Sequence, residues 1–267
     1  MESPISPYGV SSKLPGVSSV VAAGRRILPR GWGDFGRQLA IWFGFALIYQ
    51  VVRGLADREP VVKAYSNGLW VVHFETQVTH RMYELTFEQF ADQRHWLAAM
   101  VSWTYWNSEF TVVGLALLWV YIRRHEHFIK FRNSILLANL LGLIGYVLLP
   151  MAPPRLLGVG FVNNHTDGLV QLAANPYAAM PSLHACDSLI VGIVLARVTK
   201  HWWAKAFWVV WPAWVWFAVM ATGNHFWLDC LAGSALALIS MGVVYKWDKI
   251  RSFLFGGGEK TSPARTA

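Results

Sequence analysis

AFWVVWPAWVWFAVMATGNHFWLDCLAGSALALISMGVVY, residues 206–245, holds two long apolar runs separated by a short polar turn, and Asp229 is its only Asp, Glu, Lys or Arg. Each run approaches the roughly 20 apolar residues that a helix needs to cross a bilayer. The turn between them, Gly223-Asn224-His225-Phe226-Trp227-Leu228-Asp229, sets an imidazole and a carboxylate at the mouth of the second run. Four residues apart at a helix start, His225 and Asp229 share a face. A carboxylate there can accept a hydrogen bond from one imidazole nitrogen, which fixes the tautomer and leaves the other nitrogen basic and nucleophilic.

Working outward from this pair, further apolar blocks predict an all-α integral membrane protein with six spans. They are Phe35 to Leu55, Ala98 to Ile122, Ser134 to Leu149, Pro181 to Val198, Ala206 to Thr222 and Phe226 to Tyr245. The third is short for a span and is expected to extend towards Phe131 or to end in a protein-lined loop. Only 14% of the chain is charged and its mean hydropathy is +0.35, against about 25% charge in a soluble domain. The 15 Trp residues fit membrane interfaces, where an indole keeps one edge wet. Those of the fifth block (Trp208, Trp211, Trp214, Trp216) are expected to face lipid, and Ala232, Gly233, Ala235 and Ala237 to form a close-packing face in the sixth. Residues 61–94 mix apolar and charged side chains and read as an amphipathic segment near the interface. The expected organisation is a cytoplasmic disordered tail (1–33), a membrane catalytic domain (34–248) and a second disordered tail (249–267). Nothing near the N-terminus has the pattern of a signal peptide.

Basic residues set the sidedness. Lys13, Arg25, Arg26 and Arg30 precede the first block, and Arg123, Arg124, Lys130 and Arg132 follow the second. Lys200 and Lys205 follow the fourth, and Lys246, Lys249, Arg251, Lys260 and Arg265 follow the sixth. Six acids (Asp57, Glu59, Glu75, Glu84, Glu88, Asp92) lie after the first block. Both termini are therefore expected in the cytoplasm, with the loops after blocks one, three and five on the extracytoplasmic side. The net charge of +8 is explained by these clusters rather than by a nucleic-acid groove. Cys186 and Cys230 have no metal-type spacing, and no metal or cofactor is expected. His125-Glu126-His127 reads as a solvated cytoplasmic loop.

Two more motifs fall on the outward side. Pro153-Pro154-Arg155 follows the third block, and Pro181-Ser182-Leu183-His184 opens the fourth. Arg155 can bind phosphate oxygens in bidentate fashion, and two prolines stiffen its loop. Ser182 and His184 sit at a helix N-terminus, which favours an anion, and Pro181 suits a first helical turn. Asp187 and Glu109 are ionisable groups inside expected spans and hence candidates for substrate contact, with a hydrogen bond to a neighbouring helix as the structural alternative. Tyr177 could shape a loop over the site together with Asn175.

NPYAAMPSLH (175–184) and GNHxxxDxxAG (223–233), with the preceding Pro-Pro-Arg, resemble the type 2 phosphatidic acid phosphatase superfamily. They are most similar to its branch of inositol phosphotransferases of the inositolphosphorylceramide synthase type, over about residues 100–245. The resemblance implies that His225 attacks phosphorus, that Asp229 orients it and that His184 protonates the leaving alkoxide. It implies that Arg155, Ser182 and the backbone near Gly223 and Asn224 hold phosphate oxygens. A membrane lipid would be the donor and an alcohol or water the acceptor. The chain departs from the wider family at Leu148 and Val219, where Lys and Arg are frequent, and at Leu156, where Pro is. Two cationic ligands are thus replaced, which suits a phosphodiester better than a dianionic monoester. The expected activity is metal-independent transfer of a phosphate-containing headgroup, with lipid phosphate hydrolysis and a non-enzymatic lipid-binding or transport role as alternatives. A cysteine placed at His165 is expected to react with a membrane-impermeant reagent from outside intact cells; labelling from the cytoplasmic side alone would invert the topology.

Overall fold

The computed structural model describes residues 27–56, 61–161 and 177–247. The expected tails fall largely outside these residues, as do Asp57, Glu59, His165 and Asn175. Among the described residues the secondary structure is helical, with one isolated bridge between Met151 and Ala178. Compactness divides the chain at 44/45. In the first unit, helix α1 (Gly31–Ala56) begins four residues before the expected Phe35, inside the expected tail, and Asp34 accepts hydrogen bonds from Arg37 and Gln38. Helix α1 continues into the second unit, which holds all remaining elements.

In that unit the segment expected at the interface forms two helices, α2 (Val61–Thr79) and α3 (Tyr83–Asp92). Their buried positions follow helical spacing: Ala64, Gly68, Val71 and Glu75 on α2, then Glu84, Glu88 and Ala91 on α3. Helix α4 (His95–Asn107) runs through a π turn (Ser108–Val112) into α5 (Val113–Arg123). Helices α6 (His125–Leu148), α8 (Trp202–Ala221) and α9 (Trp227–Tyr245) are long and apolar enough to cross a membrane. Between them, α7 (Leu183–Val198) has 16 residues, roughly 24 Å at 1.5 Å per residue.

Helix α6 corrects the expected third span and the expected loop before it. Arg124 alone separates α5 from α6, so Lys130, Arg132 and the His125-Glu126-His127 run lie on helix rather than on a loop. Charged side chains are compatible with a helix end because their stems can carry the charge away from the apolar zone. At this end Arg124 Nε donates to the Val198 carbonyl (3.1 Å), closing the C-terminus of α7.

The fifth block also differs from expectation. Trp211 is buried among Ala185, Val215, Val219, Met220 and Cys230, with Trp208, Trp214 and Trp216 partly buried against that cluster. Trp214 Nε1–H donates to Thr104 Oγ1 (2.9 Å). Helix α8 packs on α3, α4 and α7, so the indoles of Trp208, Trp211, Trp214 and Trp216 pack into the bundle, while Trp202, Trp203, Phe207, Val209 and Val210 are exposed. Pro212 leaves the Trp208 carbonyl without its helical N–H. Gly192 of α7 lies against that oxygen, where a Cβ would stand 2.6 Å from it.

Helix α9 meets the start of α7 through Gly233. A Cβ there would collide with the Ser182 carbonyl oxygen and lie 3.3 Å from Cys186 N. Ala237, one turn on, is buried as well, whereas Ala235 is exposed and outside the close-packing face. Gly233→Ala is expected to lower stability by about 1–3 kcal/mol through overpacking. Gly242→Ala, whose Cβ meets nothing within 4 Å, serves as the control in thermal unfolding of detergent-solubilised protein. Equal unfolding temperatures for the two variants would show that α7 and α9 can separate at little cost.

Candidate active site

The segment after α6 is pinned on three sides. Met151 N donates to the Tyr177 carbonyl (2.7 Å) and Ala179 N to the Met151 carbonyl (3.3 Å), pairing this segment with residues 177–179. Ala152 N donates to the Ala64 carbonyl (3.0 Å) and Asn67 Nδ2 to the Pro150 carbonyl (2.7 Å), docking it on α2. Arg155, in a short 3-10 turn (Pro154–Leu156), donates its backbone N–H to the Gly223 carbonyl (3.0 Å). The end of α6, the start of α7 and the α8–α9 turn therefore meet at one end of the bundle.

In the α8–α9 turn, Gly223 has φ +63°, a conformation that suits a residue without Cβ. A Cβ would also sit 2.7 Å from the Phe161 ring. Both Asn224 N and His225 N donate to the Val219 carbonyl (3.2 Å each). His225 is buried, and its Nδ1 lies 2.9 Å from the Ala179 carbonyl. A carbonyl accepts only, so Nδ1 carries the proton and Nε2 the lone pair. Burial, then the nearby Arg155 charge, outweigh the Ala179 bond and push the imidazole down to about 4, so it is neutral at physiological pH. Asp229 Oδ2 stands 3.5 Å from Nδ1 and accepts the Phe226 N–H (2.9 Å). The ring's direct hydrogen-bond partner is thus a backbone carbonyl, with the carboxylate one step further away.

His184, in the first turn of α7, stacks on Tyr105 at 4.7 Å between ring centroids, and its Nε2–H donates to the Tyr105 carbonyl (3.1 Å). Glu109 Oε2 stands 3.4 Å from the same nitrogen. Glu109 belongs to the π turn, whose extra residue shifts the register between α4 and α5. The His184 and His225 rings are 5.5 Å apart. Arg155 Nε donates to Asn224 Oδ1 (2.8 Å), which directs the guanidinium along the turn that carries His225.

The other expected ligands are placed differently. Ser182 is fully buried and serves as N-cap of α7, accepting from Ala185 N (3.3 Å) and donating its own N–H to the Asp229 carbonyl (3.0 Å). Pro181 consequently lies before the cap rather than in the first turn, against Gly145 of α6. Asp187, one turn below His184, accepts from Asn139 Nδ2 with both oxygens (3.0 and 3.1 Å), a tie between α7 and α6 inside the core. The Tyr177 ring packs on Tyr65 of α2 (6.2 Å). Val219, where the wider family often has Arg, is fully buried in the cluster around Trp211, and Leu148 is 70% exposed. Among the described residues no group of three His, Cys, Asp or Glu is arranged to hold a metal ion, and both cysteines are free and buried.

Sequence reasoning did not anticipate the Ala179 carbonyl, the Tyr105 contact or the burial of Glu75 and Glu84. The Ala179 and Tyr105 carbonyls are backbone acceptors, which leave no mark on residue type. The acids could have been found from spacing, because they fall on the same helical stripe as Ala64, Gly68, Val71 and Ala91.

A family model described as the PAP2 superfamily matches residues 69–243. A phosphoinositol dihydroceramide synthase of Bacteroides thetaiotaomicron is 29% identical over 154 residues, 49% of this chain and 50% of that protein. The chain thus spans about half the length of that curated relative. The crystal structure of Aquifex aeolicus LpxE is similar with a TM-score of 0.50 at 19% identity, covering 60% of this chain and 93% of that one; at that identity the likeness concerns the fold.

Nitrogen NMR of histidine-labelled protein is expected to show one imidazole, absent in His225→Ala, that stays neutral until the pH falls to about 4. Titration of that ring in the ordinary range near 6.5 would mean that His225 is solvated and not held against Ala179.

Proposed function

The chain belongs to the PAP2 superfamily, whose members are phosphatases or phosphotransferases, and on that premise we propose that it transfers a phosphate-containing headgroup from a membrane lipid to an acceptor alcohol. One observation carries the proposal: His225 presents a neutral imidazole with its lone pair on Nε2, 5.5 Å ring to ring from a second histidine and beside Arg155.

In the proposed reaction Nε2 of His225 attacks phosphorus, forming a phosphohistidine, while the alkoxide of the departing lipid takes a proton from His184. The acceptor hydroxyl then gives its proton to His184 as its oxygen attacks phosphorus and releases His225. The positive charge that develops on the His225 ring is stabilised by the Ala179 carbonyl at 2.9 Å and by Asp229 at 3.5 Å. Arg155, steadied by Asn224, binds phosphate oxygens as a fork. Glu109 and the Tyr105 carbonyl orient His184. Ser182 acts through the α7 cap rather than on the phosphate, and Asp187 through the core.

The charge around the site supports a phosphodiester donor. Glu109 adds a carboxylate beside His184, Arg155 is the cation on the turn that carries His225, and Val219 and Leu148 stand where the wider family often supplies cations. That balance suits one negative charge better than two. An inositol phosphate headgroup is the leading version, in keeping with the relative named a phosphoinositol dihydroceramide synthase. Hydrolysis of a lipid phosphate is the second reading, favoured if water reaches the phosphohistidine before an alcohol does.

The proposed topology has six spans: α1, α4 with the π turn and α5, then α6, α7, α8 and α9. Both termini lie in the cytoplasm, the site faces the extracytoplasmic leaflet, and α2 and α3 lie at the interface. The exposed apolar side chains of α6, α8 and α9 support it.

Purified protein incubated with phospholipids and polyprenyl phosphates, with and without inositol lipids, ceramides or diacylglycerol, is expected to yield a new phospholipid. His225→Ala is expected to lose at least about 10³-fold in turnover and His184→Ala about 10²–10⁴-fold. Release of free phosphate alone would establish hydrolysis instead, and no His225-dependent product from any lipid would remove the proposed chemistry.

A further inference from the structure

Helix α9 begins beside three buried carboxyl groups. Phe226 N donates to Asp229 Oδ2 (2.9 Å), Trp227 N to Glu84 Oε1 (2.8 Å) and Leu228 N to Glu75 Oε1 (3.0 Å). Three N–H groups that a helix start leaves without helical partners are thereby satisfied, two of them by side chains from α3 and α2, far away in sequence. Glu75 and Glu84 are both 0% exposed.

Each glutamate uses one oxygen on α9. The second oxygens, Glu75 Oε2 and Glu84 Oε2, are buried with no N–H or hydroxyl donor among the described residues. The titratable groups that face the pair are Asp229 and Cys230, both on α9. No Lys, Arg or His among the described residues forms an ion pair with either glutamate. Two ionised carboxylates buried together without a cation are strongly disfavoured. Such a pair keeps one proton between its members and titrates as a unit.

We propose that Glu75 and Glu84 are positioning residues: a carboxyl pair sharing one proton that clamps the first turn of α9 to α2 and α3 and thereby holds His225 against Ala179. The acids stand at core-facing positions of α2 and α3, where pattern alone calls for apolar side chains. Three bonds of geometry then run from the pair to the reaction: carboxyl oxygens to the N–H groups of Trp227 and Leu228, those residues to His225 through the chain, and His225 Nδ1 to Ala179. The pair touches no reacting atom.

Burial first, and the neighbouring Glu84 second, push Glu75 up to about 9. The folded state therefore holds a proton that the unfolded chain releases in the ordinary carboxyl range. That contribution to stability is full below that range and is lost as pH rises through about 9, where the last proton leaves and the two charges repel.

Glu75→Gln tests this, because an amide can donate to Glu84 and accept from Leu228 N without titrating. Unfolding temperature against pH, in detergent, is expected to fall for the wild type as pH rises through about 9 and to be flatter for Glu75→Gln. Lipid turnover is expected to show the same contrast in its alkaline limb, with neutral-pH turnover of Glu75→Gln within about three-fold of wild type. Glu75→Ala, which leaves Leu228 N without its acceptor, is expected to lose about 10–100-fold in kcat with little change in KM. Identical pH dependence of unfolding in wild type and Glu75→Gln would overturn the shared proton, and full kcat in Glu75→Ala would overturn the positioning role. The turnover measurements rest on the proposed function of His225, whereas the unfolding measurement does not, so failure of one is distinguishable from failure of the other.

Discussion

The hydrogen bond from His225 Nδ1–H to the Ala179 carbonyl joins two loops that are 46 residues apart in the chain, and the surrounding elements are arranged so that it can form. Ala179 is fixed by pairing with Met151, whose segment is docked on α2. His225 is fixed by a turn that folds back on Val219 and by an α9 start capped from three directions. The absence of a side chain at Gly233 lets α7 and α9 approach until the Ser182 N–H reaches the Asp229 carbonyl. A neutral, oriented imidazole is the result of this framework and not of one neighbouring carboxylate.

Around that bond the site is asymmetric. His225 is set by backbone and by α9, whereas His184 is set by Tyr105 and Glu109 on the opposite wall. The two histidines are therefore set by different elements, each with its own acid nearby. Their separation depends on how α4 and the π turn lie against α7, and thus on packing such as the Trp214–Thr104 bond that ties α8 to α4.

Much of this was legible in the sequence. The three motifs name His184, His225, Asp229 and Arg155, and the structure brings all four to one end of the bundle. What escaped did so for physical reasons. Ser182 looks like an anion ligand because caps and phosphate sites use the same residue type at the same helix position; only burial tells them apart. The indoles of α8 look lipid-facing because bulk apolar residues suit lipid and helix interfaces equally. Glu75 and Glu84 enter the sequence reading only as acids after the first block, because net loop charge carries no information about which helical face a residue occupies. Glu109 is found beside His184 through a π turn, which no regular 3.6-residue spacing foretells.

Val219 carries a consequence for how such a site can change. Its side chain faces Trp211, Val215 and Cys230, while its carbonyl anchors the turn that bears His225. A guanidinium introduced there by one exchange would be stranded in apolar surroundings, at a cost of several kcal/mol. The absence of a cation at this position is thus built into the wall of the bundle, and the packing around Val219 would have to be rebuilt before one could be accommodated there.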